Sequence, residues 1–330
     1  MTNTAKLATA ALLAISAGLL AAAPAPQDDL KGAVKIDGSS TVYPITEAVA
    51  EEFRTEAPKV KPTVGISGTG GGFKRFCAGE TDISNASRPI KKGEADATAK
   101  AGLEFIELPV AYDGLTIVVN PKNTWCNALT VEQVRKIYSA DGGVKSWKDI
   151  DASWPDKAIK VYSPGTDSGT FDYFKEVVIG KDGSVRSDVS VSEDDNVLVR
   201  GVEGNEGSIG FFGCAYYFEN KAKLKSVAID GGEGPVAVSV ESIENGSYAP
   251  FSRPLFVYVN RKSADRPEVA AFIDFYLEHA PELVDEVGYV KLPKEIQDRV
   301  TKNWKARRTG TQFTTPSGEP VTGSLAKVYE

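Results

Sequence analysis

Residues 34–53 read VKIDGSSTVYPITEAVAEEF, and the order of segments within this stretch decides the fold. β-branched residues come first, a run of Gly, Ser and Thr follows, and Ile45, Ala48, Val49 and Phe53 then recur at the spacing of an amphipathic helix. The same order returns in VGISGTGGGFKRFC (64–77) and in KVYSPGTDSGTFDYFKEVV (160–178). Each stretch predicts a strand, a tight loop and a helix, which indicates an α/β protein with crossover connections.

Further strands and helices are expected outside these three stretches. Thr130 and Gln133 have the spacing of a capping box that opens a helix. Helices near 267–279 and 293–307 are expected to close the chain. Short β-branched runs predict strands at 104–111, 115–120, 208–212, 226–229 and 255–260. The first two of these are expected to be consecutive strands.

The three Gly/Ser/Thr loops, at 37–41, 67–72 and 163–170, are the main functional signal. A helix that starts after such a loop presents free N–H groups and the positive end of its dipole, and glycine lets an anion approach the backbone. Ser and Thr hydroxyls add donors without adding charge. One such loop is more often a simple helix cap, but three that converge on one cleft would surround a small tetrahedral oxyanion.

Two nucleotide-binding motifs are missing, and one arginine stands out. The loop at 67–72 is followed by Phe73 and Lys74 rather than by Gly-Lys-Ser/Thr, and no G-x-G-x-x-G is present, so a nucleotide site is not expected. Ser87, Arg88 and Pro89 come directly after a short strand. The planar guanidinium of Arg88 is suited to donating two parallel hydrogen bonds to an oxyanion.

Charge and composition exclude several classes of function. The 330 residues include 38 Lys+Arg and 45 Asp+Glu, a net charge of −7 that argues against binding nucleic acid through a broad basic surface. The one histidine, His279, leaves little for a Ser-His triad or a multi-histidine metal site. Any chemistry must therefore come from hydroxyls, carboxylates, Arg/Lys and the backbone.

The N-terminus predicts export. Residues 1–25 combine an early lysine, an apolar stretch and Ala-x-Ala patterns, which is the layout of a cleaved secretory signal peptide. An exported protein can form disulfides, and at most one pair can form among Cys77, Cys126 and Cys214. Spacing alone does not choose the pair.

The successive segments resemble one family, the PstS-like phosphate-binding proteins of Pst-type ABC importers, which are type II periplasmic binding proteins. The resemblance covers about residues 33–280 and rests on ordered blocks, namely DGSSTVYPITEAVAEEF, SGTGGGFKRFCAGETDISNASRPIK, AYDGLTIVVN, LTVEQVRKIY and PGTDSGTFDYF. It implies two α/β lobes that are joined by two crossing segments and close on the ligand like a hinge. Lobe I would hold 33–112 plus 255–330, and lobe II would hold 113–254.

The resemblance also assigns phosphate-binding residues. The residues that match the family's donors, loop by loop, are Ser40 and Thr41, then Thr69 and Gly70, then Ser168, Gly169 and Thr170. The chain departs from the family pattern at two places. Many members carry an arginine shortly before the Ser-Gly-Thr motif, whereas this chain has Pro-Gly-Thr-Asp at 164–167. Many members also carry an aspartate at the place where this chain has Ser87 followed by Arg88. We expect Arg88 to supply the guanidinium instead, from the opposite lobe.

The lost aspartate leaves the proton acceptor open. Near neutral pH phosphate is largely HPO₄²⁻, so a site that offers one acceptor favours it over fully ionised sulfate. The candidates are Asp113, which precedes a predicted strand, and Asp167, which lies in the third loop, with Asp37 as a weaker third. The sequence does not decide which of them accepts the proton.

The resemblance implies a binding protein that captures inorganic phosphate between its lobes and delivers it to the membrane permease subunits of an ABC transporter. On this interpretation the protein is a periplasmic monomer and not an enzyme, and it binds no cofactor, metal or nucleic acid. The resemblance also implies a Cys77–Cys126 disulfide, because relatives often have Cys at both places. The alternatives are a binder of another oxyanion such as sulfate or molybdate, a secreted phosphatase that uses a loop serine, and a phosphate-sensing or adhesion protein.

Overall fold

The structure is a computed structural model that describes residues 30–166, 168–180, 182–192, 194–315, 317, 319, 321 and 323–330. The expected signal peptide at 1–25 and the candidate acceptor Asp167 lie outside the described residues. Among the described residues, no helix has the length and apolar character needed to cross a membrane.

Strands and helices alternate over most of the described chain, as the sequence predicts. The strands are β1 (Gly32–Gly38), β2 (Val60–Val64), β3 (Ile83–Ala86), β4 (Phe105–Val119), β5 (Ala128–Thr130), β6 (Lys160–Ser163), β7 (Ser190–Val191), β8 (Ser208–Gly213), β9 (Lys225–Ser226), β10 (Ala228–Asp230), β11 (Pro235–Val236) and β12 (Ser252–Asn260). The α-helices are α1 (Tyr43–Glu56), α2 (Gly68–Cys77), α3 (Lys92–Lys100), α4 (Val131–Tyr138), α5 (Gly169–Phe174), α6 (Asp195–Glu203), α7 (Cys214–Glu219), α8 (Val240–Glu244), α9 (Pro267–Glu286), α10 (Lys294–Lys305) and α11 (Leu325–Val328).

The large sheet has the strand order β2-β1-β3-β12-β4-β8-β6-β7, with β9 paired to β4. β1 is parallel to β2 and β3, and β6 is parallel to β7 and β8, whereas β12 and β4 are antiparallel to their neighbours. The carboxyl ends of β1, β2 and β3 meet at one edge of the sheet. The loops that follow these strands therefore lie together, which is where α/β proteins bind ligands.

Strand β4 connects the two halves of the sheet. Its 15 residues pair with β12 up to Gly114 and with β8 from Leu115 onward. The prediction of two separate strands at 104–111 and 115–120 was wrong, because Asp113 and Gly114 read as a turn but pair with Arg253 and Ser252. We propose that the middle of β4 and the start of β12 are the two crossing segments, which supports the expected lobe bounds.

The first helix shows how local sequence and packing agree. Pro44 occupies its first turn, where a missing N–H costs nothing. Ile45, Val49 and Phe53 are fully buried, and the Phe53 ring lies 5.4 Å from the ring of Phe272 in α9. Burying each large apolar side chain contributes roughly 1.5–3 kcal/mol, so this stripe fixes α1 on the sheet and with it the loop after β1.

The cysteines differ from expectation. Cys77, Cys126 and Cys214 are all free thiols. The Cys77 Sγ lies 3.1 Å from the Thr98 Oγ1 beneath α3, whereas Cys126 is buried in the segment that leads to β5, where its N–H donates to Asn123. The expected Cys77–Cys126 disulfide is therefore not formed, because the two thiols pack in separate parts of the molecule.

Candidate anion-binding site

A cavity of about 270 Å³ lies where the loops after β1 and β3 and the first turn of α2 meet α5. It is lined mostly by hydroxyls, glycines and charged side chains, namely Ser39, Ser40, Thr41, Gly68, Thr69, Gly70, Ser87, Arg88, Lys91, Asp172, Tyr173, Glu176 and Arg253. The predicted residues of the first two loops and of the segment after β3 are thus brought together. Three cations and two carboxylates give this lining a net positive charge, although the whole chain carries −7.

The loop after β1 is held by a close backbone approach. Gly38 has a φ of +141°, and a Cβ built on it would lie 2.2 Å from the carbonyl oxygen of Asn85. The Ser39 N–H donates to that same carbonyl at 3.0 Å. This contact between the ends of β1 and β3 brings Ser40 and Thr41 to the edge of the cavity, beside the positive end of α1.

The second loop and the segment after β3 are joined by one side chain. The Thr69 Oγ1 lies 3.1 Å from the Ser87 Oγ and accepts a hydrogen bond from the Ser87 N–H at 3.2 Å. A Cβ on Gly70 would meet no other atom within 4 Å, so the backbone there is open to a ligand. The loop therefore offers a hydroxyl and an exposed helix start side by side.

Arg88 lines the cavity but is already partly engaged. Its Nη1 and Nη2 donate to the two carboxylate oxygens of Glu94 at 2.9 and 2.8 Å, and Nη1 also donates to the carbonyl of Pro89. These three bonds leave Nε and one Nη2 hydrogen for a ligand, since a guanidinium has five donors. The pairing with Glu94 fixes the plane of the group at the cavity edge.

Arg253, which the sequence reasoning missed, is the more buried arginine of the site, with 13% of its side chain exposed. Its Nε donates to the Asp113 Oδ2 at 3.2 Å and its Nη2 donates to the Thr41 Oγ1 at 3.2 Å. Its guanidinium carbon also lies 3.6 Å from the centre of the Tyr173 ring, and its Nη1 lies 3.4 Å from the Glu176 carboxylate. A guanidinium is therefore held between the first loop, β4 and α5.

A signal for Arg253 was present in the sequence. Ser-Arg-Pro occurs at 87–89, where it was noticed, and again at 252–254, where it was not. Strand β12 runs antiparallel to β3 with Phe256 opposite Ala86, so both tripeptides reach the same edge of the sheet. A repeated tripeptide at two strand ends would have indicated a pair of arginines.

Among the candidate acceptors, neither Asp113 nor Asp37 lines the cavity. Asp113 is buried behind Arg253; burial raises the pKa of its carboxyl, and the adjacent Arg253 opposes that rise. Asp37 is also buried, accepts from the Gly38 N–H at 2.7 Å and pairs with Arg75. The structure instead places Asp172 and Glu176, which the sequence reasoning did not consider, at the cavity.

The third predicted loop borders a neighbouring cavity of about 620 Å³, which Ser168, Gly169 and Thr170 line. The Ser168 Oγ caps α5 by accepting from the Thr170 N–H at 3.2 Å. The two cavities share Ser40 and Asp172, whose side chains are hydrogen-bonded at 3.2 Å. The predicted donors thus lie on both sides of one contact between the starts of α1 and α5.

Two other expectations concern metals and histidine. In the part of the chain that the structure describes, no cluster of His, Cys, Asp and Glu is arranged to hold a metal ion. The ring of His279, on α9, stacks on the ring of Phe275 with the centroids 4.0 Å apart. This histidine lines neither cavity, so it is not placed to act on a ligand there.

Comparisons with known proteins agree with this geometry. A family model described as the PBP superfamily domain matches residues 23–279. Protein SphX of Synechococcus elongatus is 50% identical over 283 residues, which cover 85% of this chain and 83% of SphX. The phosphate-binding protein PstS of Staphylococcus saprophyticus is 43% identical over 267 residues, which cover 80% of this chain and 82% of PstS.

A solved structure extends the likeness to three dimensions. The crystal structure of a possible phosphate-binding protein from Planctomyces limnophilus has a TM-score of 0.82 and 46% sequence identity, covering 85% of this chain and 100% of that chain. The expected type II fold is therefore confirmed. The chain belongs to the PBP superfamily, and within it to the family that includes PstS and SphX.

Proposed function

We propose that this protein is a periplasmic solute-binding protein that captures inorganic phosphate between its lobes and delivers it to the permease subunits of an ABC importer. The observation that carries the proposal is the 270 Å³ cavity, where hydroxyls, two helix starts and the guanidinium of Arg253 converge. The printed names of the relatives, a phosphate-binding protein PstS and a possible phosphate-binding protein, support the choice of ligand.

The anion would be held by donors from several segments. We assign direct contacts to the hydroxyls of Ser40, Thr41, Thr69 and Ser87, to the backbone at Gly70 and to Arg88 and Arg253, with the helix start at Ser168, Gly169 and Thr170 closing from the other side. Charge-assisted hydrogen bonds contribute roughly 1.5–3 kcal/mol each. Six to eight of them would exceed the ~8 kcal/mol of micromolar affinity after ordering and desolvation costs.

Asp172 is our choice for the acceptor of the phosphate proton. Its carboxylate lines the cavity and accepts a hydrogen bond from the Ser40 Oγ at 3.2 Å, so it lies at the contact between the two helix starts. A carboxylate there accepts the proton of HPO₄²⁻ and repels sulfate, which has none to give. This choice replaces Asp113, which lies behind Arg253.

Binding without catalysis fits the site better than hydrolysis. The Ser168 hydroxyl accepts hydrogen bonds from the first turn of α5, and His279 lines neither cavity, so the loop serine has no histidine base within the site. We further propose that residues 1–25 direct export and that the mature protein acts as a monomer.

Titration calorimetry on the mature protein tests the proposal. Phosphate and arsenate should bind, and sulfate should bind at least about a hundredfold more weakly, because it lacks the proton that Asp172 accepts. Arg88→Ala should weaken phosphate binding at least about fivefold, whereas Arg54→Ala, an exposed arginine paired with Glu47, should not change it. Sulfate affinity equal to that for phosphate, or no anion binding, would refute the assignment.

A further inference from the structure

Glu176 is a carboxylate inside the cavity that the proposed function gives to an anion, and none of the proposed phosphate contacts uses it. It lines the 270 Å³ cavity, and its Oε2 lies 3.4 Å from the Arg253 Nη1. A carboxylate at this place repels an incoming oxyanion and occupies a donor of the arginine that would bind it. Glu176 therefore opposes binding unless it moves aside.

An irregular turn of helix holds Glu176 beside Arg253. Residues Lys175–Ile179 continue α5 as one turn of π-helix, in which an N–H donates to the carbonyl five residues earlier at 2.8 Å. Such turns are rare and occur frequently at functional sites. Tyr173, three residues before Glu176, has its ring centre 3.6 Å from the guanidinium carbon of Arg253. The segment thus places a ring against the guanidinium and a carboxylate at its edge.

The two carboxylate partners of Arg253 differ in their exposure to water. The side chain of Asp113 is 1% exposed, whereas that of Glu176 is 62% exposed. Without its cation Asp113 would be a buried, uncompensated charge, so this pair has to be kept when a ligand binds. An exposed carboxylate that leaves an arginine is solvated at once, and exposed ion pairs contribute little to stability. Glu176 is therefore the partner that can be exchanged.

The hydrogen bonds of Arg253 leave room for this exchange. Its Nε and Nη2 donate at 3.2 Å, to Asp113 and Thr41, and its Nη1 donates to Glu176 at 3.4 Å. Charge-assisted bonds of this kind are usually about 2.7–2.9 Å long, so the bond to Glu176 is the weakest of the three. An oxyanion drawn up to Nη1 can form a shorter bond than Glu176 does, which favours the replacement of one by the other.

We propose that Glu176 is a displaceable partner of Arg253, which the anion pushes aside on binding and which returns to the guanidinium when the anion leaves. The inference rests on the proposed function, because the anion is the phosphate of that site. Asp172, four residues earlier, selects among anions by accepting a proton, whereas Glu176 opposes every dianion to the same extent. Glu176 therefore sets how tightly and for how long an anion is held, and not which anion is held.

Glu176→Gln in the full mature chain tests the inference. The amide keeps the shape of the side chain but neither repels an anion nor competes for Arg253 as a charge. Phosphate affinity, measured by titration calorimetry, should therefore rise about threefold to tenfold, mainly because labelled phosphate dissociates more slowly. Sulfate affinity, measured by competition against labelled phosphate, should rise by the same factor, so the ratio of the two affinities should stay within about twofold of the wild-type ratio. Damage to the fold would weaken binding and could not produce this gain.

Glu132→Gln is the matched control, because Glu132 is 61% exposed and lies 3.9 Å from Arg135, in an ion pair outside the cavity. It should leave phosphate affinity unchanged. If the wild type binds phosphate but Glu176→Gln binds it no tighter, or Glu132→Gln gains as much, the inference is refuted while the phosphate proposal survives. A gain for phosphate without one for sulfate also refutes it, since Glu176 would then select between anions. If the wild type binds no phosphate, both proposals are refuted.

Discussion

Arg253 contacts three parts of the chain that are distant in sequence. It donates to Thr41 in the first loop and to Asp113 on β4, and it stacks on Tyr173 of α5. A single guanidinium thus compensates a buried carboxylate and faces the cavity at the same time. Its effect on stability and its effect on binding are therefore separable by the choice of substitution.

Arg253→Lys and Arg253→Gln should separate these effects. Lysine keeps a charge near Asp113, so the melting temperature should change little, but without the planar fork we expect phosphate affinity to fall about tenfold to a hundredfold. Glutamine leaves Asp113 buried without a cation, which costs roughly 3–5 kcal/mol of unfolding free energy. Calorimetric titration and chemical denaturation measure the two effects. Wild-type affinity in Arg253→Lys would show that the guanidinium does not face the anion.

Asp172→Asn tests the choice of anion. An amide at this position no longer repels a fully ionised oxyanion and accepts a proton less well, so sulfate affinity should rise and phosphate affinity should fall, each about threefold to tenfold. Competition of sulfate against labelled phosphate measures both. Asp96→Asn, an exposed carboxylate paired with Lys92, is the control. Unchanged selectivity in Asp172→Asn would show that Asp172 does not accept the phosphate proton.

The starts of α1 and α5 approach each other closely at the cleft. A Cβ on Gly169 would lie 2.8 Å from the Thr41 Cα and 2.9 Å from its Oγ1, closer than real Cβ atoms come to backbone. The Thr41 Oγ1 is also 3.5 Å from the Gly169 carbonyl oxygen. Glycine is needed here for the approach of two helices rather than for an unusual φ.

Gly169→Ala should therefore hold the two helix starts apart. We expect phosphate affinity to fall at least about tenfold, because the donors of the third loop no longer reach the anion, while the melting temperature changes by only a few degrees. Gly93→Ala, where a Cβ meets no other atom within 4 Å, is the matched control. Calorimetry and thermal denaturation of both variants test the contact, and normal binding in Gly169→Ala would contradict it.

Strand β4 carries a buried carboxyl whose ionisation is unfavourable. Glu107 accepts from the Tyr258 hydroxyl at 2.8 Å and from the Gln312 N–H at 3.1 Å, and its backbone carbonyl accepts from Tyr329. Burial raises its pKa to about 7, against the opposing effect of hydrogen bonds from Thr311, Gln312 and Tyr258 and of the charge on Arg308. The folded state therefore binds this proton more tightly than the unfolded state does.

A raised pKa in the folded state means that stability falls as pH rises. The stabilising effect of the proton on Glu107 is complete below the unfolded value of 4.5 and is lost by the time pH has passed through about 7. Glu107→Gln should flatten the fall in melting temperature between about pH 5 and pH 7. Glu104→Gln, an exposed position on the same segment, should keep the wild-type slope. Parallel slopes in wild type and Glu107→Gln would contradict the assignment.

At the scale of the whole molecule, the sequence predicted what is local. The three strand-loop-helix stretches and the capping box at Thr130 follow from periodicity and cap chemistry, and the structure has them. What it did not predict depends on pairing across the chain: Arg253 is placed by the register of β12, and β4 continues through Asp113 because β12 pairs with it. The separation of Cys77 and Cys126 in space is likewise not predictable from their positions in the sequence.

The continuity of β4 also has a mechanical consequence. Because this strand and β12 belong to one hydrogen-bonded ladder, the two halves of the sheet are joined by paired strands rather than by a flexible linker. Opening the cleft has to be taken up as extra twist in the ladder, a deformation that sheets accommodate in small increments. We therefore expect strands β4 and β12 to twist together as one unit when the cleft opens or closes.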